Sequence, residues 1–181
     1  MLATAKARFL AHAPGLILSV LVLATACGRD AGSGTGGAWE LKVDTARRSA
    51  WLRAVGREGG RDETRTKEVI LSFDCLPGQR STTIMTEQSL RQGSTDARVQ
   101  LDADRPRRIP AFAGTTASSG QVVLTMSQDS MLKLLSGHQR ATIEYADGAG
   151  SSRTTAEFPV AGLERYRAPF LRACADSAPS S

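Results

Sequence analysis

Residues 68–86 read EVILSFDCLPGQRSTTIMT, and this stretch decides the fold class. Every second residue of its first half is apolar, which predicts a half-buried β-strand. Pro77 and Gly78 then occupy the central positions of a predicted type II turn, because Pro fixes φ at the first position and Gly tolerates a positive φ at the second. The chain returns as a second strand with Ile84 pointing inward. The apolar face of the first strand consists of Val69, Leu71, Phe73 and Cys75.

Outward from this hairpin, the same alternation recurs in short segments that are separated by turn residues. This pattern is typical of an antiparallel β domain. Residues 49–55 fit a helix or a strand by propensity, and the strand is favoured. Residues 56–66 are rich in Gly and charge, which predicts an exposed loop. Further strands are predicted at 39–43, 97–101, 109–112 and 121–126, and a hairpin is predicted to join 141–145 to 153–158.

Residues 127–135 change to a helical period. Ser127 or Asp129 can cap this short helix at its start. Gly137 can end it in the left-handed conformation that favours glycine. The apolar residues of the helix are Met131, Leu132, Leu134 and Leu135.

The last element is predicted to be a C-terminal helix with one apolar face. Pro169 removes a helical hydrogen bond and is expected to kink it. The predicted fold class is therefore mainly β: an antiparallel β-sandwich or open barrel, with a short helix and a C-terminal helix. The apolar face of the C-terminal helix carries Leu163, Tyr166, Phe170 and Cys174.

The N-terminus is typical of an exported bacterial protein. Lys6 and Arg8 precede an apolar run at residues 15–26 that is short for a membrane span, and small residues precede Cys27. Residues 1–26 are therefore predicted to be a signal peptide, and Cys27 is predicted to be lipidated, since the sequence before it resembles a bacterial lipobox. A larger aliphatic residue is usual where Ala24 stands. The alternatives are ordinary cleavage after Ala26, which would give a secreted soluble protein, and an uncleaved anchor.

Processing leaves a tethered domain of ordinary size. Residues 27–37 comprise the lipidated cysteine and a Gly-rich flexible tether, 38–175 form a single β-rich domain, and 176–181 form a disordered tail. The signal peptide removes two of the 23 cations, so that 21 basic side chains face 18 acidic ones. This excess is small and gives no argument for nucleic acid.

Cysteine usage agrees with export. With Cys27 lipidated, Cys75 and Cys174 remain as an even pair that is predicted to form a disulfide in an oxidising compartment. Such a bond would close a loop of about 100 residues, worth roughly 4–5 kcal/mol by the chain-entropy treatment, and measured effects are usually smaller. The alternative is two buried thiols. No metal site is expected, since no CxxC motif occurs and His138 is the only histidine after the signal peptide.

A dozen positions between Trp39 and Cys174 resemble a known group of exported domains. They include the strand that ends in Cys75, a Leu-rich helix before a hairpin, and the pair Gly162-Leu163. This layout resembles the small β domains of the type VI secretion-associated VasI-like and invasion-associated-protein-B-like kind. The charged insertion at 56–66 departs from that layout, as does the lack of a tryptophan near residues 105–112. The resemblance implies an accessory or binding role without catalytic residues.

Three groups of residues are candidates for functional sites. Arg105, Arg107 and Arg108 are candidates for contact with an anionic surface, because guanidinium groups bind phosphate in a bidentate way. A solvated loop is the ordinary interpretation of such a cluster. His138 beside Gly137 is interpreted as a solvated loop residue and not as a catalytic base. The remaining cluster, Asp102 and Asp104, is interpreted as turn residues.

The sequence therefore predicts a non-enzymatic binding or assembly-accessory domain of a lipoprotein, held to a bacterial envelope membrane and facing the periplasm or exterior. The alternative is a carrier or sensor of a small apolar ligand bound between the sheet and the helices. A hydrolase is disfavoured. The expected partners are the membrane, through the lipid anchor, and an envelope protein; no cofactor and no nucleic acid are expected, and a small-molecule ligand is not identified.

Overall fold

The computed structural model describes residues 39–59, 67–116, 119–146, 148 and 153–176. The predicted signal peptide, Cys27 and the tether lie outside these residues. Within them the chain forms nine strands and two helices. The elements are β1 (Glu40–Asp44), β2 (Ser49–Gly59), β3 (Lys67–Leu76), β4 (Gln79–Thr86), β5 (Gly93–Leu101), β6 (Arg107–Thr115), β7 (Gly120–Leu124), α1 (Gln128–Leu135), β8 (Arg140–Ala146), β9 (Arg153–Pro159) and α2 (Glu164–Asp176).

All strands pair antiparallel in the order β1-β2-β3-β4-β7-β6-β5-β8-β9. The second half of β2 also pairs with β9, with Glu58 opposite Ala156. This additional pairing joins β2 to β9 into a closed eight-stranded barrel, and β1 lies outside the ring against the first half of β2. The mainly β, antiparallel prediction is confirmed. Of the two architectures expected, the barrel is the one formed, and the β2–β9 pairing closes it.

The hairpin of β3 and β4 follows the sequence pattern closely. Leu71 pairs with Ile84 across the two strands, and both side chains are buried. Gly78 has φ 75°, the value that the second central position of a type II turn requires. The predicted strand, turn and return strand are confirmed.

The barrel interior is filled by the protein's own side chains. Each large apolar side chain removed from water contributes about 1.5–3 kcal/mol to the hydrophobic stabilisation of the fold. Close packing of this kind leaves the outer faces and the ends of the barrel for interactions with other molecules. The largest fully buried side chains are Tyr145, Phe73, Phe158, Phe170, Leu52, Leu71, Ile84, Ile109, Met131, Leu132, Leu135 and Ile143.

The helices pack against the barrel through the faces that the sequence predicted. In α1 the Ser127 side chain accepts a hydrogen bond from the Ser130 amide, and Gly137 follows the helix with φ 85°. Ser127 is therefore the cap. In α2, Phe170 is buried and meets Phe73 edge to face, with ring centroids 6.3 Å apart. No helix among the described residues is long and apolar enough to cross a bilayer.

Three segment predictions were wrong in part. Residues 56–59 belong to β2 and not to an exposed loop, because the inward alternation of Ala54 continues through Gly56 to Glu58, both of which are buried. Residues 60–66 of the same prediction lie outside the described residues. The basic cluster is not one loop either, since Arg107 and Arg108 begin β6. At the other end of the chain, Asp176 belongs to α2 rather than to the predicted tail.

Gly56 is the position where the barrel seam admits no side chain. A Cβ atom there would lie 2.5 Å from the Glu157 carbonyl oxygen and 2.5 Å from the Phe158 ring. Gly59, three residues further along β2, would place its nearest contact at 3.9 Å, an ordinary van der Waals distance. The glycine at position 56 therefore lets the Phe158 ring fill the interior while β2 and β9 pair.

Candidate binding surface

Cys75 and Cys174 form the predicted disulfide. Their Cα atoms lie 5.5 Å apart, and both residues are buried between β3 and α2. The Arg80 guanidinium donates a hydrogen bond to the Cys174 carbonyl oxygen at 3.2 Å, which adds a second link between the sheet and α2. The alternative of two free thiols was wrong.

The three arginines proposed for an anionic surface have different surroundings. Arg105 precedes β6 and is exposed, and so is Arg107. Arg107 and Arg108 are successive residues of a strand, so their side chains leave opposite faces. Arg108 is held by Asp96, with Nε 3.2 Å from Oδ2. Contact of Arg105, Arg107 and Arg108 with an anionic surface stays a prediction.

Asp96 is the centre of a charge network on the outer face of β5, β6, β8 and β9. Its carboxylate accepts a hydrogen bond from Arg153 at 2.9 Å and lies between Arg108 and Arg98. Glu144 pairs with Arg153 at 3.2 Å and so extends the network. Burial alone would raise the pKa of Asp96, but Arg153 and Arg108 outweigh it and hold that pKa below its usual range. The network therefore ties four strands together across their outer face.

Asp102, in the turn between β5 and β6, pairs with His138, in the connection between α1 and β8. The His138 Nδ1 atom lies 3.0 Å from Asp102 Oδ2, and Asp102 also accepts the amides of Gln139 and Arg140. The His138 hydrogen bond, followed by that from Arg140, lowers the pKa of Asp102. No serine hydroxyl is hydrogen-bonded to His138 within the described ranges. Asp102 thus serves the turn, since it adopts φ 47° and satisfies two amides there.

A buried polar cluster, not anticipated from the sequence, lies inside the barrel near the β2–β9 seam. Glu58 is only 4% exposed and accepts hydrogen bonds from the Thr86 hydroxyl at 3.1 Å and from the side-chain amide of Gln88. Burial and the charge of Glu58 raise the pKa of Tyr145, while the Thr86 side chain acts in the opposite direction. The continued two-residue alternation of β2 was the signal that placed Glu58 inside the barrel.

The outer face of β1, β2 and β3 carries an aromatic side chain between two cations. Arg53 lies 4.4 Å from the Trp51 ring centroid, and Lys42 lies 5.9 Å from it. Arg53 also donates to the Ser72 hydroxyl at 3.1 Å and approaches Asp74 at 3.6 Å. Cation–π contacts of this kind fix the orientation of an outward-facing indole. We refer to Lys42, Trp51 and Arg53 as the tryptophan stack.

A groove of about 540 Å³ separates the end of the β1–β2 hairpin from α2. Apolar side chains contribute from both sides, and Val43 on β1 is 47% exposed there. Arg48, Arg172 and Asp44 lie on its charged rim. Together the groove, β1 and the tryptophan stack form the candidate binding surface. The described residues contain no group of three or more His, Cys, Asp or Glu side chains that could hold a metal ion.

Comparison with known proteins supports the fold alone. Neither a protein-family model nor a curated protein sequence matches the chain. The crystal structure of invasion associated protein B from Bartonella henselae is similar, with a TM-score of 0.52 and 13% sequence identity. The match covers 77% of this chain and 95% of that protein. The resemblance to this group therefore holds at the level of a small β-barrel, while that to the VasI-like group stays a prediction.

Proposed function

We propose that the chain is a bacterial envelope lipoprotein, anchored through Cys27, whose barrel is a non-enzymatic binding or assembly-accessory domain. The observation that carries this proposal is the contrast between the barrel interior and its outer face. Apolar side chains fill most of the interior, whereas Trp51 lies on the outer face beside two cations. Aromatic and arginine side chains are enriched at protein–protein interfaces, and an aromatic ring buries a large area with little loss of conformational freedom.

The order of the segments supports the proposed lipid anchor. A Gly-rich tether at residues 28–37 connects Cys27 to β1, so the β1–β2 hairpin is the part of the barrel nearest the anchor along the chain. A diacylated cysteine with a further N-acyl chain would hold the domain stably, since a single chain gives only marginal binding. The shared fold with invasion associated protein B is consistent with an accessory role.

Intact mass of the membrane-extracted protein tests the proposal, beside a Cys27→Ala variant. We expect a chain that begins at Cys27, carries acyl groups and gains two hydrogens on reduction of the Cys75–Cys174 bond. The variant should lose both the acyl mass and the membrane fraction. An unmodified chain that starts at Cys27 in the soluble fraction would contradict the anchor and would favour a secreted protein cleaved after Ala26.

A carrier of a small apolar ligand is the second candidate function. The groove between the β1–β2 hairpin and α2 favours it, because Val43, Pro169 and Ala173 give the groove an apolar lining. We rank it second because Arg48, Arg172 and other charged side chains rim the same groove, whereas apolar ligands favour sites that enclose most of their surface. Extraction of the purified protein with organic solvent, followed by mass spectrometry, would detect a stoichiometric apolar ligand.

A further inference from the structure

Strand β1 has one edge without a partner strand among the described residues. Strands β2 to β9 close on one another, but β1 lies outside that ring and pairs with β2 alone among the described residues. Its other edge therefore presents main-chain amide and carbonyl groups at alternate residues. An edge of this kind is a ready template for another extended chain, and natural proteins usually shorten or cover it.

The side chains of β1 alternate between two distinct faces. Leu41 pairs with the buried Leu52, so Leu41 and Val43 lie on the inner side of the strand. Glu40, Lys42 and Asp44 lie on the outer side, where Lys42 pairs with Trp51. The edge thus combines two inward apolar residues with an outward pattern of acid, base and acid.

This charge pattern selects against a second copy of the chain. If two β1 strands paired antiparallel over all five residues, Lys42 would face Lys42 and Glu40 would face Asp44. Like charges that stand directly opposite each other destabilise a strand pair. Registers that slip by two residues bring opposite charges together, but they shorten the pairing to three residues.

Strand β1 is long enough to pair with a short added strand. The five residues of β1 offer an edge of about 16 Å, since a strand rises about 3.3 Å per residue. Inward side chains of an added strand would lie beside Leu41 and Val43. Val43 lines the groove in front of α2, where Pro169 provides an apolar contact.

We propose that the free edge of β1 binds one extended segment of a different polypeptide, with an acidic residue opposite Lys42 and an apolar residue on either side of it. This inference rests on the proposed role as a binding domain and adds the chemistry of the partner. The main-chain groups of β1 supply the hydrogen bonds, the side of Leu41 and Val43 accepts the apolar residues, and Lys42 selects the acidic residue between them. Basic residues opposite Glu40 and Asp44 would complete the match.

Two synthetic peptides with blocked ends test this proposal on the intact chain. The first contains Lys-Val-Glu-Val-Lys, which complements β1, and the second contains the charge-reversed Glu-Val-Lys-Val-Glu. Amide hydrogen exchange, followed residue by residue by NMR, reports protection along β1. We expect the first peptide to protect β1 and to bind roughly tenfold more tightly than the second, because three cross-strand charge pairs change sign.

Two variants and one modified peptide make the test specific. Lys42→Glu should weaken or invert the preference between the two peptides, since the central pair then carries like charges with the first. Arg91→Glu makes the same charge change on the exposed loop between β4 and β5 and should leave the preference as it is. A copy of the first peptide with N-methylated amides on its β1-facing edge should no longer bind.

The remaining outcomes overturn the inference. These are equal binding of both peptides, no binding by a folded protein, retained binding of the N-methylated peptide, and β1 amides that are already protected without peptide. In the last case, protection that falls on dilution would identify a second copy, and protection independent of concentration would identify a segment of the same chain. None of these results changes the acylation of Cys27, so the failure of this inference and that of the lipid anchor are distinguishable.

Discussion

The outer face of β5, β6, β8 and β9 differs from that of β1, β2 and β3 in how its polar groups are satisfied. On the first face, Asp96 gathers arginines from three strands, and β5 and β8 each have a strand on both sides. On the second face, Arg53 lies over Trp51, and β1 keeps one edge without a paired strand among the described residues. Both faces carry arginines, but those of the first face converge on one carboxylate, whereas Arg53 of the second face lies over an aromatic ring.

The density of arginines along the sequence is therefore a poor guide to a binding surface. The basic cluster at 105–108 is the densest in the sequence, but Arg108 forms an ion pair with Asp96. The less conspicuous segment Glu40–Asp44 offers unpaired main-chain groups beside an outward tryptophan. The two faces should therefore respond differently to substitution, to salt and to acid.

Removal of the disulfide should have the largest effect, and it should act on the end of the barrel next to β1. The bond joins residues 99 positions apart and holds α2 against β3. We expect Cys75→Ala/Cys174→Ala to lower the free energy of unfolding by about 2–4 kcal/mol, because the unfolded chain regains its conformational freedom. Urea unfolding measures this, with the reduced wild-type protein as the control. A loss below 1 kcal/mol would show that noncovalent contacts, such as the packing of Phe170 and the Arg80 hydrogen bond, hold α2 without the disulfide.

The seam between β2 and β9 should tolerate a methyl group at one glycine and not at another. Gly56→Ala is expected to lower the free energy of unfolding by about 1–3 kcal/mol, because its Cβ would meet the Glu157 carbonyl and the Phe158 ring. Gly59→Ala is the matched control and should be nearly neutral. Thermal unfolding of the two variants compares them directly. Equal stability would mean that β9 shifts to admit the methyl group.

Asp96→Asn should weaken the paired face without affecting the β1 side. The substitution leaves Arg98, Arg108 and Arg153 without their common carboxylate, so we expect a loss of about 1 kcal/mol that becomes smaller at high salt. Unfolding in low and high salt, with hydrogen exchange on β1 as an internal control, tests this. A salt-independent loss would indicate a packing defect rather than a charge effect.

Acid should produce the smallest and most gradual loss of stability. The pKa values of Asp96, Asp102, Asp129 and Glu164 are lowered in the fold by their hydrogen bonds and cationic neighbours. Such groups stabilise the fold above their unfolded pKa values of about 4, and this contribution is lost as pH falls through their folded values.

The melting temperature measured from pH 7 downward should therefore fall only at acid pH. Asp102→Asn keeps an acceptor oxygen for the two amides but removes the charge, so its profile should be flatter than that of the wild type. A steeper profile in this variant would contradict the assignment.

Much of the fold could be predicted from local sequence patterns. The alternation in residues 68–86, the Ser127 cap and the apolar face of α2 each depend on residues close together in the chain, so their signals are local. The disulfide was also predictable, because both cysteines lie on inward faces. The candidate binding surface was harder to predict from the sequence. Arg105 and Arg107 were identified as candidates, but β1 was expected only as an ordinary strand.

Most of the strands, the two helices, the cysteine pair and the expectation of export could be predicted from the sequence, since each rests on a short-range pattern of polarity or residue type. Only the tertiary structure decided that the sheet closes between β2 and β9, because that pairing joins residues about 100 positions apart. The same closure placed Glu58 inside the barrel and left β1 outside it. A free strand edge is a property of what does not pair with it, and no local pattern in Glu40–Asp44 encodes the absence of a neighbour.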